Sequence, residues 1–191
     1  MSLVETDWLE KNLESVKIID CSWHMPQTKR NGFDEYKIKH IPGAVFFDLD
    51  LNSNKNTELP HMLVEINNWK KIVSKMGIKN NDEIIFYDNS DVASACRCWF
   101  NFIYFGHNPK LVHVLNGGLQ KWMSENKKIT IDLPKIKISN YNCFEKKELV
   151  KNKDLVNQNI KTQKFKIVDA RSKERFEGKV PEPRKGLRSG S

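Results

Sequence analysis

Four cysteines are the residues through which this 191-residue chain could do nucleophilic or soft-metal chemistry. A thiolate attacks or ligates only in an electropositive, accessible setting. Cys21 ends an apolar run and reads as a small core residue. Cys96 and Cys98 lie two apart in a helical pattern, so they do not face one another. No further Cys or His stands at zinc-ligand spacing beside them, and no metal site is expected. Cys143 falls in a connecting segment, exposed or half-buried. None of the four reads as a nucleophile. Gly117-Gly118 could open a phosphate loop, but no Lys-Ser/Thr follows. The pair is expected instead to let a strand end pass closely into a helix. In His40-Ile41-Pro42-Gly43-Ala44, Pro42 fixes φ and Gly43 permits a tight bend. His40 is then a hydrogen-bonded turn histidine.

The bulk numbers bound what such residues can serve. The chain carries 32 Lys and Arg against 24 Asp and Glu, a formal charge of +8, with 39% hydrophobic residues and five Trp. It should fold. Its lysines are scattered in ones and twos and no aromatic-plus-basic RNA motif occurs, so no nucleic-acid partner is expected. Attraction of small anions is the milder consequence. The N-terminus lacks a secretory pattern and no window reaches a membrane span. A cytoplasmic protein with reduced thiols and no membrane partner is expected.

Short apolar runs alternate with amphipathic segments. Strands are expected at Val16–Cys21, Ala44–Asp48, Glu83–Asp88, Leu111–Leu115 and Lys166–Ala170. Helices are expected from Thr6 or Asp7 to about Glu14, at Ile66–Met76 ending on Gly77, at Ser94–Phe105 and at Leu119–Ser124. Runs with little alternation, separated by helices, specify βαβ units and a mainly parallel sheet covered on both faces, an α/β fold. Lys127–Asn142 reads as an extended surface connection, Phe144–Val156 as a further helix, and Asn157–Gln163 as a loop.

Two stretches are related. Ile18-Ile19-Asp20-Cys21-Ser22, Phe33-Asp34-Glu35-Tyr36 and His40-Ile41-Pro42-Gly43-Ala44 form the first. Ile167-Val168-Asp169-Ala170-Arg171 and Arg175-Phe176-Glu177 begin a second, which stops at Ser191. The expectation is one complete domain, residues 1–142, followed by the truncated start of its duplicate, residues 143–191. Lys164–Ser191 then supplies a strand with no sheet to join, so either the tail is mobile or the sequence omits residues that complete the domain.

Those segments, with Asp20-Cys21-Ser22-Trp23-His24, His61-Met62-Leu63, Tyr87-Asp88-Asn89-Ser90, Trp99, Phe105-Gly106-His107, Leu115-Asn116-Gly117-Gly118-Leu119 and Pro181-Glu182-Pro183-Arg184-Lys185-Gly186-Leu187, resemble the tandem-domain rhodanese family of thiosulfate and 3-mercaptopyruvate sulfurtransferases. The resemblance covers nearly the whole chain. It implies a three-layer α/β/α rhodanese-like domain with a mainly parallel five-stranded sheet. It also implies a catalytic cysteine on a loop of the second domain, absent here, in a cleft between the domains. In the first domain that loop is Asp88–Ala95, with Asp88 where a nucleophile would stand. A carboxylate cannot accept sulfane sulfur, so this domain should be catalytically silent.

The resemblance further implies that Arg175 and Arg184 grip the anionic end of the donor, as guanidinium forks do. Asp50 and His61 match a pair proposed to assist a serine on the missing loop. Arg171 is expected in an interdomain salt bridge, and Trp23, Trp69, Trp99 and Trp122 in core or domain interfaces. The full-length enzyme would move sulfur from 3-mercaptopyruvate or thiosulfate through a cysteine persulfide to cyanide or a thiol such as reduced thioredoxin, without a cofactor. The rival reading is a non-catalytic rhodanese-like binding or regulatory module. A related phosphatase is disfavoured because it too needs the loop cysteine.

Overall fold

The computed structural model describes residues 2–182 and 186–190. Residues 1–149 and 150–191 form two compact units. The first begins with β1 (Leu3–Val4), α1 (Thr6–Asn12), β2 (Lys17–Asp20), α2 (Gly32–Ile38) and β3 (Ala44–Phe46). It continues through α3 (Ile66–Lys75), β4 (Ile84–Tyr87), α4 (Ser94–Tyr104), β5 (Val112–Leu115) and α5 (Gly118–Ser124). The strands make one sheet in the order β1-β5-β4-β2-β3, every neighbouring pair parallel.

The apolar runs explain the layering. All four residues of β4 are buried, so this central strand has no solvent face. Side chains alternate across a strand. Ile84 and Phe86 accordingly join Ile19, Trp69 of α3 and Phe102 of α4 on one face, while Ile85 and Tyr87 join Leu9 of α1, Tyr36 of α2 and Trp122 of α5 on the other. Trp69 is fully buried, stacked on Phe105 at 4.8 Å and edge-on to Phe102 at 5.1 Å. The stretch 127–142 holds no helix or strand, only an isolated antiparallel bridge of Thr130 with His40. Its end is not merely superficial: Tyr141 is fully buried, and Tyr141 N–H donates to Ser74 Oγ at 3.1 Å.

Three expectations fail locally. Lys166–Ala170 forms no strand; Ile167 and Val168 are exposed, and the second unit offers no strand to pair with among the described residues. The fifth strand of the sheet is β1 instead. Phe144–Val156 is not one helix. Phe144 N–H donates to Phe105 O at 3.3 Å and Lys146 N–H to Tyr104 O at 2.8 Å, which ties this stretch to the end of α4. The helix begins later, as α6 (Lys153–Thr162), because the Asn152 side chain accepts Leu155 N–H at 2.9 Å and caps it there. Asn157–Gln163, expected as a loop, is mostly the body of that helix. A short α7 (Lys173–Phe176) follows. Among the described residues no helix is long and apolar enough to cross a membrane.

Candidate functional site

In an open parallel sheet the loops beyond the strand carboxyl ends converge on one edge, where sites are built. Here β2 leads to Trp23, β3 to Asp50, β4 to Asp88 and β5 to Gly117-Gly118.

The loop after β4 is wrapped around its own carboxylate. Ala95 N–H donates to Asp88 Oδ2 at 2.6 Å and Ser90 N–H to Asp88 Oδ1 at 3.2 Å. Asp88 thereby satisfies an otherwise orphaned donor at the start of α4, where the helix dipole also favours negative charge. Ala93 supplies the sharp entry with φ +49°. The loop is pinned from outside. Ser94 Oγ donates to Cys21 O at 2.7 Å, Asn89 N–H to Ser22 Oγ at 2.9 Å, and Asn89 Nδ2 to Glu35 Oε2 at 2.9 Å. Arg30, hydrogen-bonded to Glu35, holds that carboxyl below the usual carboxylate range. Opposite, Leu119 N–H donates to Asp88 O at 3.0 Å. A Cβ on Gly118 would lie 2.5 Å from that oxygen, which is why the strand-to-helix passage is a glycine. The two backbone donors that Asp88 uses are thus held by a carboxylate.

The environments of three of the thiols raise their pKa values. Cys21 and Cys98 are buried, Cys21 Sγ donates to Ile19 O at 3.7 Å, and burial, with the neighbouring Cys98 thiol, drives the Cys21 thiol upward. Burial, then the Asp88 charge, raises the exposed Cys96 thiol. Cys143 is half-buried, bonds Ile66 O at 3.6 Å, and is raised by burial. A thiol pushed upward is a poorer nucleophile at neutral pH. Among the described residues no cluster of His, Cys, Asp and Glu could hold a metal.

Asp50 and His61 meet: His61 Nε2 lies 2.8 Å from Asp50 Oδ1. The sequence reading treated Trp23 only as a core or interface aromatic. In the structure its indole N–H donates to Asp50 Oδ2 at 2.9 Å and its ring stands edge-on to His61, centroids 4.8 Å apart. Arg97 of α4, not singled out by the sequence, donates through Nη2 to the His61 carbonyl. His40 is fully buried, with Nδ1 2.7 Å from Tyr36 O, a satisfied turn residue.

In the second unit Arg175 Nη2 pairs with Glu182 Oε2, while Arg175 Nε is buried without a partner among the described residues. Arg171, expected to bridge domains, pairs inside its own unit, with Asp169 at 2.7 Å and Glu182 at 2.7 Å. The reason is proximity: Asp169 is two residues away, and the nearly buried Glu182 needs two guanidinium partners to offset its desolvation. Arg184 lies outside the described residues.

Known proteins share this arrangement. Residues 5–125 match the rhodanese-like domain. The chain is 38% identical over 211 residues to thiosulfate/3-mercaptopyruvate sulfurtransferase 1, mitochondrial, of Arabidopsis thaliana, covering 98% of this chain and 55% of that one. It is 32% identical over 197 residues to the 3-mercaptopyruvate sulfurtransferase of Rattus norvegicus, covering 99% and 66%. The crystal structure of SseA from Escherichia coli, described as a 3-mercaptopyruvate sulfotransferase, superposes with a TM-score of 0.86 at 30% identity, over all of this chain and 73% of that one. The chain thus spans between 55% and 66% of the length of these two curated relatives. On the match over residues 5–125 and the α/β architecture that carries it, the chain belongs to the rhodanese-like domain family.

Proposed function

We propose that this chain works as part of a sulfurtransferase that moves sulfane sulfur from 3-mercaptopyruvate or thiosulfate to a thiol or cyanide, its first unit being the non-catalytic partner. The observation that carries the reading is the Asp88 cradle. The loop keeps the backbone donors and helix N-terminus that would stabilise a thiolate or persulfide, yet a carboxylate fills them. The nucleophile is therefore proposed to come from a loop cysteine outside these residues, attacking the donor sulfur to give a persulfide and releasing pyruvate or sulfite.

Arg175 and Arg184 are proposed to hold the donor's carboxylate or thiosulfonate. For Arg175 the support is that Nε has no partner among the described residues, while Glu182 fixes the far side of its fork. Asp50 and His61 are proposed to assist proton movement. A carboxylate only accepts, so Nε2 carries the proton in their bond, which leaves His61 Nδ1 as the basic nitrogen.

The test compares sulfur transfer to cyanide by this chain alone and by the chain joined to a second rhodanese-like half that carries a loop cysteine. The expected result is turnover by the joined protein only, with no mass gain of one sulfur on Cys21, Cys96, Cys98 or Cys143. Normal turnover by the chain alone, or a persulfide on any of those four, overturns the reading.

A further inference from the structure

The Asp50–His61 pair sits on a long loop between β3 and α3, and such loops do not hold two side chains in register by themselves. The loop is closed at its base, where Asn54 N–H donates to Met62 O at 2.8 Å, and Lys55 Nζ donates to Asp50 O at 2.7 Å. Those bonds fix the backbone but leave both side chains free to rotate. Two residues from elsewhere in the fold reach them.

We propose that Trp23 and Arg97 are positioning residues that hold His61 and Asp50 as one preorganised acid–base unit. Trp23 follows β2 and donates its indole N–H to Asp50 Oδ2, 2.9 Å away, so the carboxylate is clamped between that N–H and the His61 Nε2–H on its other oxygen. The same indole stands edge-on to the imidazole, 84° between planes, which blocks rotation of the ring away from Asp50. Arg97 acts on the backbone. His61 has φ +56°, a left-handed conformation that costs a non-glycine residue free energy and persists only where surroundings enforce it. The Arg97 guanidinium, half-buried and packed over the Phe100 ring, donates to the His61 carbonyl and enforces it. Burial pulls the Arg97 pKa down. The result is one face of the imidazole fixed on Asp50 with Nδ1 unpartnered among the described residues. The proposed assistance of sulfur transfer by this pair is the reading on which the purpose of the device rests; the device itself does not depend on it.

The test is NMR on the 191-residue chain, with the indole N–H of Trp8, which is partly exposed, as internal standard. The Trp23 indole N–H is expected to exchange with solvent at least tenfold more slowly than that of Trp8, and Asp50→Ala is expected to abolish the difference. The neutral His61 ring is expected in a single tautomer, protonated on Nε2. Arg97→Met and Trp23→Phe should each give mixed tautomers and averaged side-chain couplings at His61, and Arg97→Lys should restore part of the order. Trp23→Phe keeps the packing, so it reads out the hydrogen bond even where Arg97→Met fails to fold. Equal exchange at Trp8 and Trp23, or an unchanged His61 tautomer in folded Trp23→Phe, overturns the proposal. Order lost in the variants with unaltered turnover of an active two-domain protein supports the positioning and removes the pair's role in sulfur transfer.

Discussion

Replacing Asp88 by cysteine asks whether the loop after β4 is a thiolate cradle in all but its occupant. The new Sγ would sit at the Asp88 Cγ position, one bond further from the amides of Ala95 and Ser90, and sulfur's larger radius spans that gap. Asp88 now accepts from those amides at 2.6 and 3.2 Å. A hydrogen bond to a charged acceptor contributes about 1.5–3 kcal/mol. Counting the shorter one fully, and setting the helix N-terminus against the desolvation of a half-buried site, leaves about 1.5–3 kcal/mol favouring the thiolate. At 1.36 kcal/mol per unit, the thiol should drop by roughly one to two units from an ordinary value near 8.5, to about 6.5–7.5. The assay is the pH dependence of alkylation of Asp88→Cys, made with Cys96→Ser to remove the exposed thiol. A midpoint at or above that of a free cysteine would refute the cradle, because the amides would then be oriented for the carboxylate alone. Asp88→Asn provides the control: the Cys96 thiol should fall but stay above its ordinary value, since burial outranks the Asp88 charge among the causes of its rise.

Further outcomes follow from the same geometry. Gly118→Ala puts a Cβ 2.5 Å from Asp88 O at φ +55°, whereas Gly43→Ala, at φ +80°, meets nothing within 4 Å. Denaturant unfolding should show about 1–2 kcal/mol lost at Gly43 from backbone strain alone and clearly more at Gly118. Trp69→Ala empties the centre of one core layer and should cost about 3–5 kcal/mol in the same assay. His107 is buried, its Nδ1 3.0 Å from Tyr141 Oη and its Nε2 3.0 Å from Asp82 O, and burial holds its pKa below the ordinary value. The unfolded chain therefore takes up this proton first as pH falls. Stability from the neutral ring is full above about pH 6.5 and is lost as pH falls below it, by at most about 1.4 kcal/mol per pH unit. His107→Gln, which can donate to Asp82 O and accept from Tyr141 Oη, should flatten that slope in urea titrations; an unchanged slope would place its origin elsewhere.

The parallel sheet was legible because its strands are buried on both faces: Ile84–Tyr87 could not be a surface strand with that composition. β1 was not, since two residues carry no period, and only its pairing with Val114 and Leu115 makes it a strand. α2 was missed for a similar reason. It buries only Tyr36, so its signal is the Asn31 cap on Asp34 N–H and not an apolar stripe. α6 starts later than Phe144 because the Asn152 side chain caps it, accepting Leu155 N–H. At the site, the carboxylate in the cradle could be placed from neighbouring residues. The clamp on Asp50 could not, since Trp23 is 27 residues from Asp50 and Arg97 is 36 from His61. Nothing local in either residue's neighbourhood encodes such a contact. The two expectations about Lys166–Ala170 and Arg171 failed on partners: a strand needs another strand, and a guanidinium takes the nearest carboxylates it can reach.

The loop after β4 shows how amides at a helix start can be satisfied without a thiol. Orphan amides at a helix start must be satisfied by something negative or by water. A carboxylate one residue past β4 does this, because it is already covalently in place and accepts from two of those amides. The fold is therefore indifferent to whether the group is Asp or a thiolate, while the chemistry is not: only sulfur can form and release an S–S bond. The loop between β3 and α3 is under no such local demand. His61 in a left-handed conformation brings the helix α4 no cap and the core no side chain; it is held there by Arg97 and Trp23 at a cost in backbone strain. Under the proposed function, a strained residue whose restraints serve no packing need is explained by what its side chain, with Asp50, would face.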